Sequence, residues 1–330
     1  MKFLLVDTAN TFFRCKHIAA KQSTTEEKVA FATHLTLSSI AKCWKGHDSG
    51  HVVFALEGRS WRKDFYAPYK ANRAVARAAL TEEEQELDRL FFEAFTDLQT
   101  FILNKTNCTV LQNSKLEADD LIAGWIASHP NDHHTIVSSD TDYYQLIAEN
   151  VVQYNGITDE LITLDGFFNN TKGTPVKDKK TKEEKKLPDP KWILFEKIAR
   201  GDPTDNVFSA YPGVRVKGSA KKVGITEAFL DRDSKGYNYS NFMLQRWTDH
   251  NGIEHRVLDD FIRNTTLIDL TAQPPEIKKL IVDTISSESF TKTVPQVGTH
   301  FLKFCGKYNL IKLSEQSDLF SKILSAAYGK

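Results

Sequence analysis

Two tight groups of carboxylates, Glu117-Ala118-Asp119-Asp120 and Asp140-Thr141-Asp142, lie about twenty residues apart within the stretch 115–146. Three acids, two of them outside these groups, stand where apolar, β-branched runs end. Phe3–Val6 runs into Asp7, His51–Leu56 into Glu57, and Thr135–Val137 is followed closely by Asp140. If those runs are parallel strands of one sheet, their acids converge on its C-terminal edge, where open α/β sheets bind ligands. Like charges at that range raise one another's pKa and oppose folding unless a cation neutralises them. The ligand atoms are all oxygen, with no His or Cys at matching positions, which favours Mg²⁺ or Mn²⁺ over zinc. So many acids suit two ions and metal-assisted hydrolysis. Each cluster alone reads equally well as helix chemistry, with Asp119 and Asp120 opposing a helix dipole and Asp7 or Asp140 acting as a cap.

The elements that must position these acids are legible. Ala118, Leu121, Ile122, Trp125 and Ile126 recur at helical spacing, so a helix carries Asp119 and Asp120 in its first turn. Ser114 and Glu117 fit a capping box before it. Helical periodicity also covers Glu26 to Trp44, and Thr81 with Glu84 starts a long helix running to Leu103. Further strands are expected at Val151–Tyr154 and Leu161–Leu164, and His133 and His134 read as a turn before a strand. The fold class is α/β, a mostly parallel sheet flanked by helices.

The 330 residues are 41% hydrophobic and 26% charged, ordinary for a globular chain of one large or two smaller domains. No apolar run approaches a membrane span, and MKFLLVD lacks the features of a leader, which points to the cytoplasm. Cys15, Cys43, Cys108 and Cys305 show no CxxC spacing, consistent with free thiols in a reducing compartment.

Lys and Arg balance Asp and Glu at 43 each, but the signs are segregated along the chain. Between Arg59 and Arg77, six cations (Arg59, Arg62, Lys63, Lys70, Arg73, Arg77) are interleaved with Trp61, Phe65, Tyr66 and Tyr69 against one acid, Asp64. Cations for phosphates and aromatic faces for unpaired bases suit a single-strand-binding segment, placed here as an arch between a strand end and a helix. Residues 171–190 hold seven lysines and few apolar groups, and read as an exposed, flexible charged insertion without order of its own. A mainly helical region, 191–330, follows. Its first helix ends at Gly201 and presents Asp202 and Asp205. The next stretch, with Gly213, Val214, Lys217, Gly218, Lys221 and Lys222, could bring backbone N–H groups to a phosphate at a helix start, and equally fits any turn between helices.

Taken in order, Asp7, Glu57 before WRKDFYAPYKANR, EADD at 117–120, SSDTD at 138–142 and GDPTDNV followed by PGV resemble the flap endonuclease family of 5′ nucleases, over most of residues 1–270. The resemblance implies a PIN-like domain over 1–170, a helical arch at about 59–103, and a helix-three-turn-helix element that grips duplex DNA. It implies Mg²⁺-dependent phosphodiester hydrolysis near 5′ ends of flaps, nicked or primer-template duplexes and RNA–DNA hybrids, by a monomer. By motif, Asp7, Glu57, Glu117, Asp119 and Asp120 would surround one metal position and Asp140, Asp142, Asp202 and Asp205 the other, while Lys70 and Arg73 face the scissile phosphate. The chain departs from the family pattern at Glu57, where Asp is usual, and in GVRVKGSAK, which lacks a middle glycine where some members carry a K⁺ site. Replication proteins such as a single-stranded DNA-binding protein or a clamp are the partner class implied. Gln316 and Leu319 begin a clamp-like peptide, but Lys322 and Ile323 replace its aromatics. The rival readings are a branched-DNA binding protein that has lost catalysis and a haloacid-dehalogenase-like phosphatase using Asp7, which lacks the second acid at Ala9.

Overall fold

The computed structural model describes residues 1–19, 21, 22, 24–211, 224–249, 251–288 and 293–328. Its elements, in chain order, are β1 (Lys2–Asp7), α1 (Thr8–Ala19), α2 (Thr25–Gly46), β2 (His51–Ala55), α3 (Arg62–Phe65), α4 (Ala71–Ala78), α5 (Glu82–Lys105), β3 (Thr109–Leu111), α6 (Ala118–Ser128), β4 (His133–Val137), a 3₁₀ turn (Thr141–Leu146), β5 (Val151–Asn155), β6 (Glu160–Thr163) and β7 (Gly166–Asn169). After these come α7 (Pro190–Arg200), α8 (Ile225–Leu230), α9 (Tyr237–Leu244), β8 (Arg246–Thr248), β9 (Glu254–Arg256), α10 (Val257–Ile268), α11 (Pro275–Glu288), α12 (Val297–Lys307), α13 (Ile311–Ser314) and α14 (Ser317–Ser325). The chain divides into two compact units: residues 1–60, 80–187 and 278–330, and residues 61–79 with 188–277.

The first unit is built on a seven-stranded sheet of order β3-β2-β1-β4-β5-β6-β7. The first five strands are parallel, and β6 and β7 are added antiparallel at one edge. β1 and β2 are buried along nearly their whole length, as strands covered on both faces must be, which explains their unbroken apolar runs. The register pairs Asp7 with Ala55 and Val6 with Val137, so Asp7, Glu57 and Asp140 leave the sheet from one edge.

Helix starts follow local chemistry. Thr24 with Glu27 and Thr81 with Glu84 form capping boxes that open α2 and α5, the second as expected from the sequence. α5 buries Phe91, Phe95, Leu98 and Phe101, and Phe12 of α1 packs on Phe95 at a ring separation of 5.2 Å. Each such side chain contributes roughly 1.5–3 kcal/mol of burial free energy. Phe301 of α12 stacks on Phe320 of α14 at 4.4 Å, and Ile323 is fully buried, so the clamp-like peptide is a core-packing helix.

His133 and His134 are the first residues of β4, not a turn before it. His134 is buried with its ring stacked on Phe3, and its Nε2 lies 2.9 Å from the His129 carbonyl. Burial lowers its pKa below the ordinary imidazole value, so a neutral ring can occupy a strand position that its polarity does not advertise.

In the second unit, α7 packs with α8, α9 and α10 around Phe195, Phe229, Phe242 and Val257. Asn264 of α10 is buried and donates through Nδ2 to the carbonyls of Ile198 and Phe208, tying α10 to α7 and its following loop. The expected duplex-gripping positions Gly213, Val214, Lys217, Gly218, Lys221 and Lys222, and the K⁺ site of that turn, lie outside the described residues.

Candidate metal centre

Asp7 is the last residue of β1 and is buried. Its Oδ1 accepts from the Asn10 N–H at 3.1 Å, so it caps α1 as the local reading allowed. Its Oδ2 accepts from the Ser138 hydroxyl and from the Tyr143 hydroxyl, both at 3.1 Å. Burial chiefly, with the charge of Asp140, pushes its pKa up to about 6 against the pull of those three donors. Tyr143 is itself buried. Burial first, and then the negative charges of Asp7, Asp119, Asp140 and Glu57, push its hydroxyl well above the ordinary phenol range. Four carboxylates from four segments therefore act on one phenol, which is the convergence the strand ends implied.

The first acidic motif sits at the start of α6. Glu117 is the N-cap, paired in a capping box with Asp120, whose Oδ2 accepts from the Glu117 N–H at 3.1 Å. The box thus lies about one turn later than Ser114–Glu117, because α6 begins at Ala118 and Glu117, with an extended backbone, occupies the cap position. The Ser60 hydroxyl donates to Glu117 Oε2 at 2.6 Å. One ligand oxygen from each of Glu117, Asp119 and Asp120 lies within 4.8 Å of the others.

Glu57 reaches this cluster through a locked turn. The Gly58 N–H donates to the Leu116 carbonyl and the Arg59 N–H to the Ser114 carbonyl, each at 2.8 Å. A Cβ on Gly58 would lie 2.0 Å from the Asn113 carbonyl oxygen, so only glycine permits this approach. Glu57 Oε2 then accepts from the Ala118 N–H, at the positive end of α6.

Asp140 and Asp142 open the 3₁₀ turn. Asp140 Oδ1 accepts from the Asp142 N–H at 3.0 Å, and the Asp140 N–H donates to Ser138 Oγ, so Ser138 bridges Asp140 to Asp7. Gln153 Nε2 donates to the carbonyls of Ser138 and Asp140 and fixes the loop from β5. The donor set of the unit is all carboxylate and hydroxyl, which fits a hard divalent cation. Mg²⁺, with oxygens at about 2.1 Å, holds opposite ligands about 4.2 Å apart, a span comparable to that of the Glu117–Asp119–Asp120 group.

Within the second unit, Asp202 and Asp205 occupy the loop after α7. Gly201 takes φ 73°, and a Cβ there would lie 2.3 Å from the Val207 carbonyl oxygen, which requires glycine at the helix end. Burial alone would raise Asp202, but the Lys197 ammonium at 2.9 Å and the Thr204 and Asp205 N–H groups outweigh it and hold the carboxyl below its usual range. Asp205 accepts from the Tyr69 hydroxyl at 3.0 Å and Arg73 Nη2 at 2.8 Å, and Lys70 Nζ lies 3.5 Å away. Lys70 has φ 55°, a strained backbone for a lysine, held by its N–H donating to the Asp205 carbonyl.

Several arch residues differ from expectation. Arg62 is fully buried and its Nε donates to the Leu267 carbonyl at 2.9 Å, so it supports the unit's interior instead of meeting a phosphate. Tyr69 is likewise buried, with its hydroxyl on Asp205, and offers no open face to a base. Tyr66 is half-buried beneath the Arg263 guanidinium. Arg59, Lys63, Arg73 and Arg77 are exposed. Sequence reasoning passed over Ser60, Ser138, Tyr143, Gln153 and Lys197, which orient the acids. Ser138 and Tyr143 lie within or beside the SSDTD motif, but hydroxyls near acids are too common to single out without the fold.

Residues 2–176 match the family model described as the 5′-3′ exonuclease, N-terminal resolvase-like domain. The flap endonuclease of Escherichia phage T5 is 32% identical over 158 residues, 47% of this chain and 51% of that protein. The flap endonuclease Xni of Aeromonas salmonicida is 31% identical over 154 residues, 45% of this chain and 53% of that one. The chain thus spans about half the length of the curated relatives it matches. Among solved structures, the phage T5 flap endonuclease in a pseudo-enzyme–product complex with DNA and metal ions superposes with a TM-score of 0.55 at 20% identity, covering 96% of this chain and all of that one, which shows a shared fold. With more than half its length under the family model and the acids at the sheet edge, the chain belongs to the 5′-3′ exonuclease family, carrying its N-terminal resolvase-like domain.

Proposed function

We propose that the protein is a divalent-metal-dependent, structure-specific 5′ nuclease that hydrolyses phosphodiesters near the 5′ ends of flaps, nicked or primer-template duplexes and RNA–DNA hybrids. The observation that carries this reading is the gathering of acids at one sheet edge: Asp7 and Asp140 joined through Ser138, and Glu57 seated on the Ala118 N–H beside the Glu117–Asp119–Asp120 group. Such a concentration of negative charge in one folded unit calls for cations, and Mg²⁺ at two positions is the natural choice. The relatives' names, and the DNA and metal ions in the T5 complex, support the same assignment.

Bound divalent ions supply Lewis-acid polarisation of the phosphoryl group and acidification of water. The chain's own residues do the positioning. Asp7 is held by three hydrogen bonds and is ionised once cation charge offsets its burial. By motif, Asp7, Glu57, Glu117, Asp119 and Asp120 are assigned to one position, and Asp140, Asp142, Asp202 and Asp205 to the other. Lys70 and Arg73 place donors on the scissile phosphate and stabilise its developing charge. These cations share Asp205, so substrate competes with a carboxylate for them. Arg59, Lys63 and Arg77 supply phosphate contacts, and the protein acts as a monomer.

The test is cleavage of a 5′-labelled flap by the wild type and by Asp142→Asn. The reading expects loss of product by the variant with binding retained; near wild-type turnover in Mg²⁺ would overturn the role of Asp142.

A further inference from the structure

The lysine-rich stretch after β7 is exposed, yet it is a hydrogen-bonded ribbon. The Val176 N–H donates to the Phe167 carbonyl, and the Phe167 N–H to the Lys185 carbonyl. Pro175 bridges to Phe168, and Lys177 to Glu184. At the tip, Asp178 Oδ1 accepts from the Lys180 and Thr181 N–H groups at 2.7 and 2.9 Å, and the Lys182 N–H closes onto the Asp178 carbonyl. Lys185 lies over the Phe167 ring at 3.6 Å, and Leu187 is buried, which anchors the base.

This order costs conformational entropy that so polar a segment recovers poorly from burial. Covering the edge strand β7 explains a ribbon, but not its charge. Residues 171–187 hold seven lysines against three acids. Asp178 is engaged by backbone N–H groups and Glu184 lies 3.8 Å from Lys186. Lys172, Lys177, Lys179, Lys180 and Lys182 are exposed, and among the described residues no side-chain partner is found for them.

Their placement follows from the strand directions. Asn169 ends β7 opposite Glu160, which itself faces Asn155 at the end of β5, so Lys172 turns out of the sheet at the edge that carries the acids. The chain then runs back along β7, and Lys179–Lys182 form the tip at the opposite edge. Five extended residues span on the order of 15 Å, so the lysines form a line starting at the metal-centre edge and leading away from it. Residues 171–187 contain no Phe, Tyr, Trp or His on which a base could stack. Single-strand surfaces pair cations with aromatic faces, whereas duplex backbones present phosphates alone.

We propose that this ribbon is a sequence-independent contact for the phosphate backbone of the duplex arm of the substrate. The proposal rests on the nuclease reading, which supplies the nucleic acid at the adjacent edge. Its test is the triple variant Lys179→Gln/Lys180→Gln/Lys182→Gln, compared with wild type by fluorescence anisotropy in Ca²⁺. The probes are a flap with a long duplex arm, the same flap with the arm cut short, and the single strand alone, across a salt series. Circular dichroism and melting check the fold.

On the long arm, binding weakens about tenfold near physiological salt and the slope of log K against log salt falls by about 2 to 3, close to 0.9 per lost phosphate contact. The short arm and the single strand bind the variant and wild type alike. Unchanged affinity and slope on the long arm would overturn the contact, and an equal loss on the single strand would overturn its assignment to duplex. Cleavage by the wild type in Mg²⁺ is scored separately: its absence counts against the nuclease reading, while the binding comparison still decides the ribbon.

Discussion

The hydroxyl of Tyr143 donates to Asp7 Oδ2 at 3.1 Å, joining a buried phenol to a buried carboxylate whose pKa is pushed up to about 6. Removing that donor in Tyr143→Phe leaves Asp7 with two hydrogen bonds and a higher proton affinity. Such a bond to a charged group is worth about 1.5–3 kcal/mol, so Mg²⁺ binding, read from the shift of thermal melting with Mg²⁺ concentration, weakens by tenfold or more. An unchanged midpoint would show that Tyr143 only fills space.

Acid pH separates Asp7 from His51. Asp7 has a folded pKa of about 6 against 3.8 for the free group, so the stability carried by its protonated form is fully present below pH 3.8 and lost as pH rises through 6. His51 behaves oppositely. It donates from Nδ1 to the Ala326 carbonyl and accepts at Nε2 from the Thr109 N–H, so burial holds it neutral down to about pH 4 and stability is lost as pH falls from 6.5. In the metal-free protein the two effects oppose each other over nearly the same window. Asp7→Asn removes the first, so its stability relative to wild type worsens by about 2–3 kcal/mol between pH 7.5 and 4. Urea unfolding at the two pH values, with chelator present, measures it; a pH-independent difference would contradict the raised pKa.

Lys197→Met unpairs Asp202, whose carboxyl depends on that ammonium to stay below its usual range. If Asp202 serves catalysis as proposed, the acidic limb of the kcat profile moves to higher pH. Restoring charge with Lys197→Arg moves it back, which a merely structural role for Lys197 would not require.

Arg62→Met tests the corrected reading of a residue expected at a phosphate. Its guanidinium is buried on the Leu267 carbonyl, so the variant loses stability by roughly 1–3 kcal/mol in chemical unfolding, while the salt dependence of DNA binding keeps the wild-type slope. A flatter slope with unchanged stability would return Arg62 to the interface.

What was legible in the sequence divides along physical lines. β1, β2 and the Thr135–Val137 end of β4 announced themselves because strand segments buried on both faces are mostly apolar or β-branched, and the acids that follow them break that pattern abruptly. Thr81 and Glu84 gave the start of α5, since a capping box is local chemistry. Arg62 and Tyr69 were misjudged because a cation among aromatics has the same composition whether it faces water or a carbonyl such as that of Leu267, more than two hundred residues away. His134 failed for a related reason, as burial suppresses the charge that made it look like a turn residue. The order of residues 171–187 was hidden because backbone hydrogen bonds, not apolar side chains, hold most of that ribbon.

Metal-dependent cleavage at the acidic cluster is tested most directly by single-turnover cleavage of a 5′-labelled flap by the wild type and by Asp119→Asn, each with Mg²⁺ and with chelator, at equal occupancy of substrate. The prediction is product from the wild type only when Mg²⁺ is present, and a loss of at least a hundredfold in Asp119→Asn with binding retained. Product that persists in chelator, or an Asp119→Asn protein that cleaves as well as wild type, would contradict it.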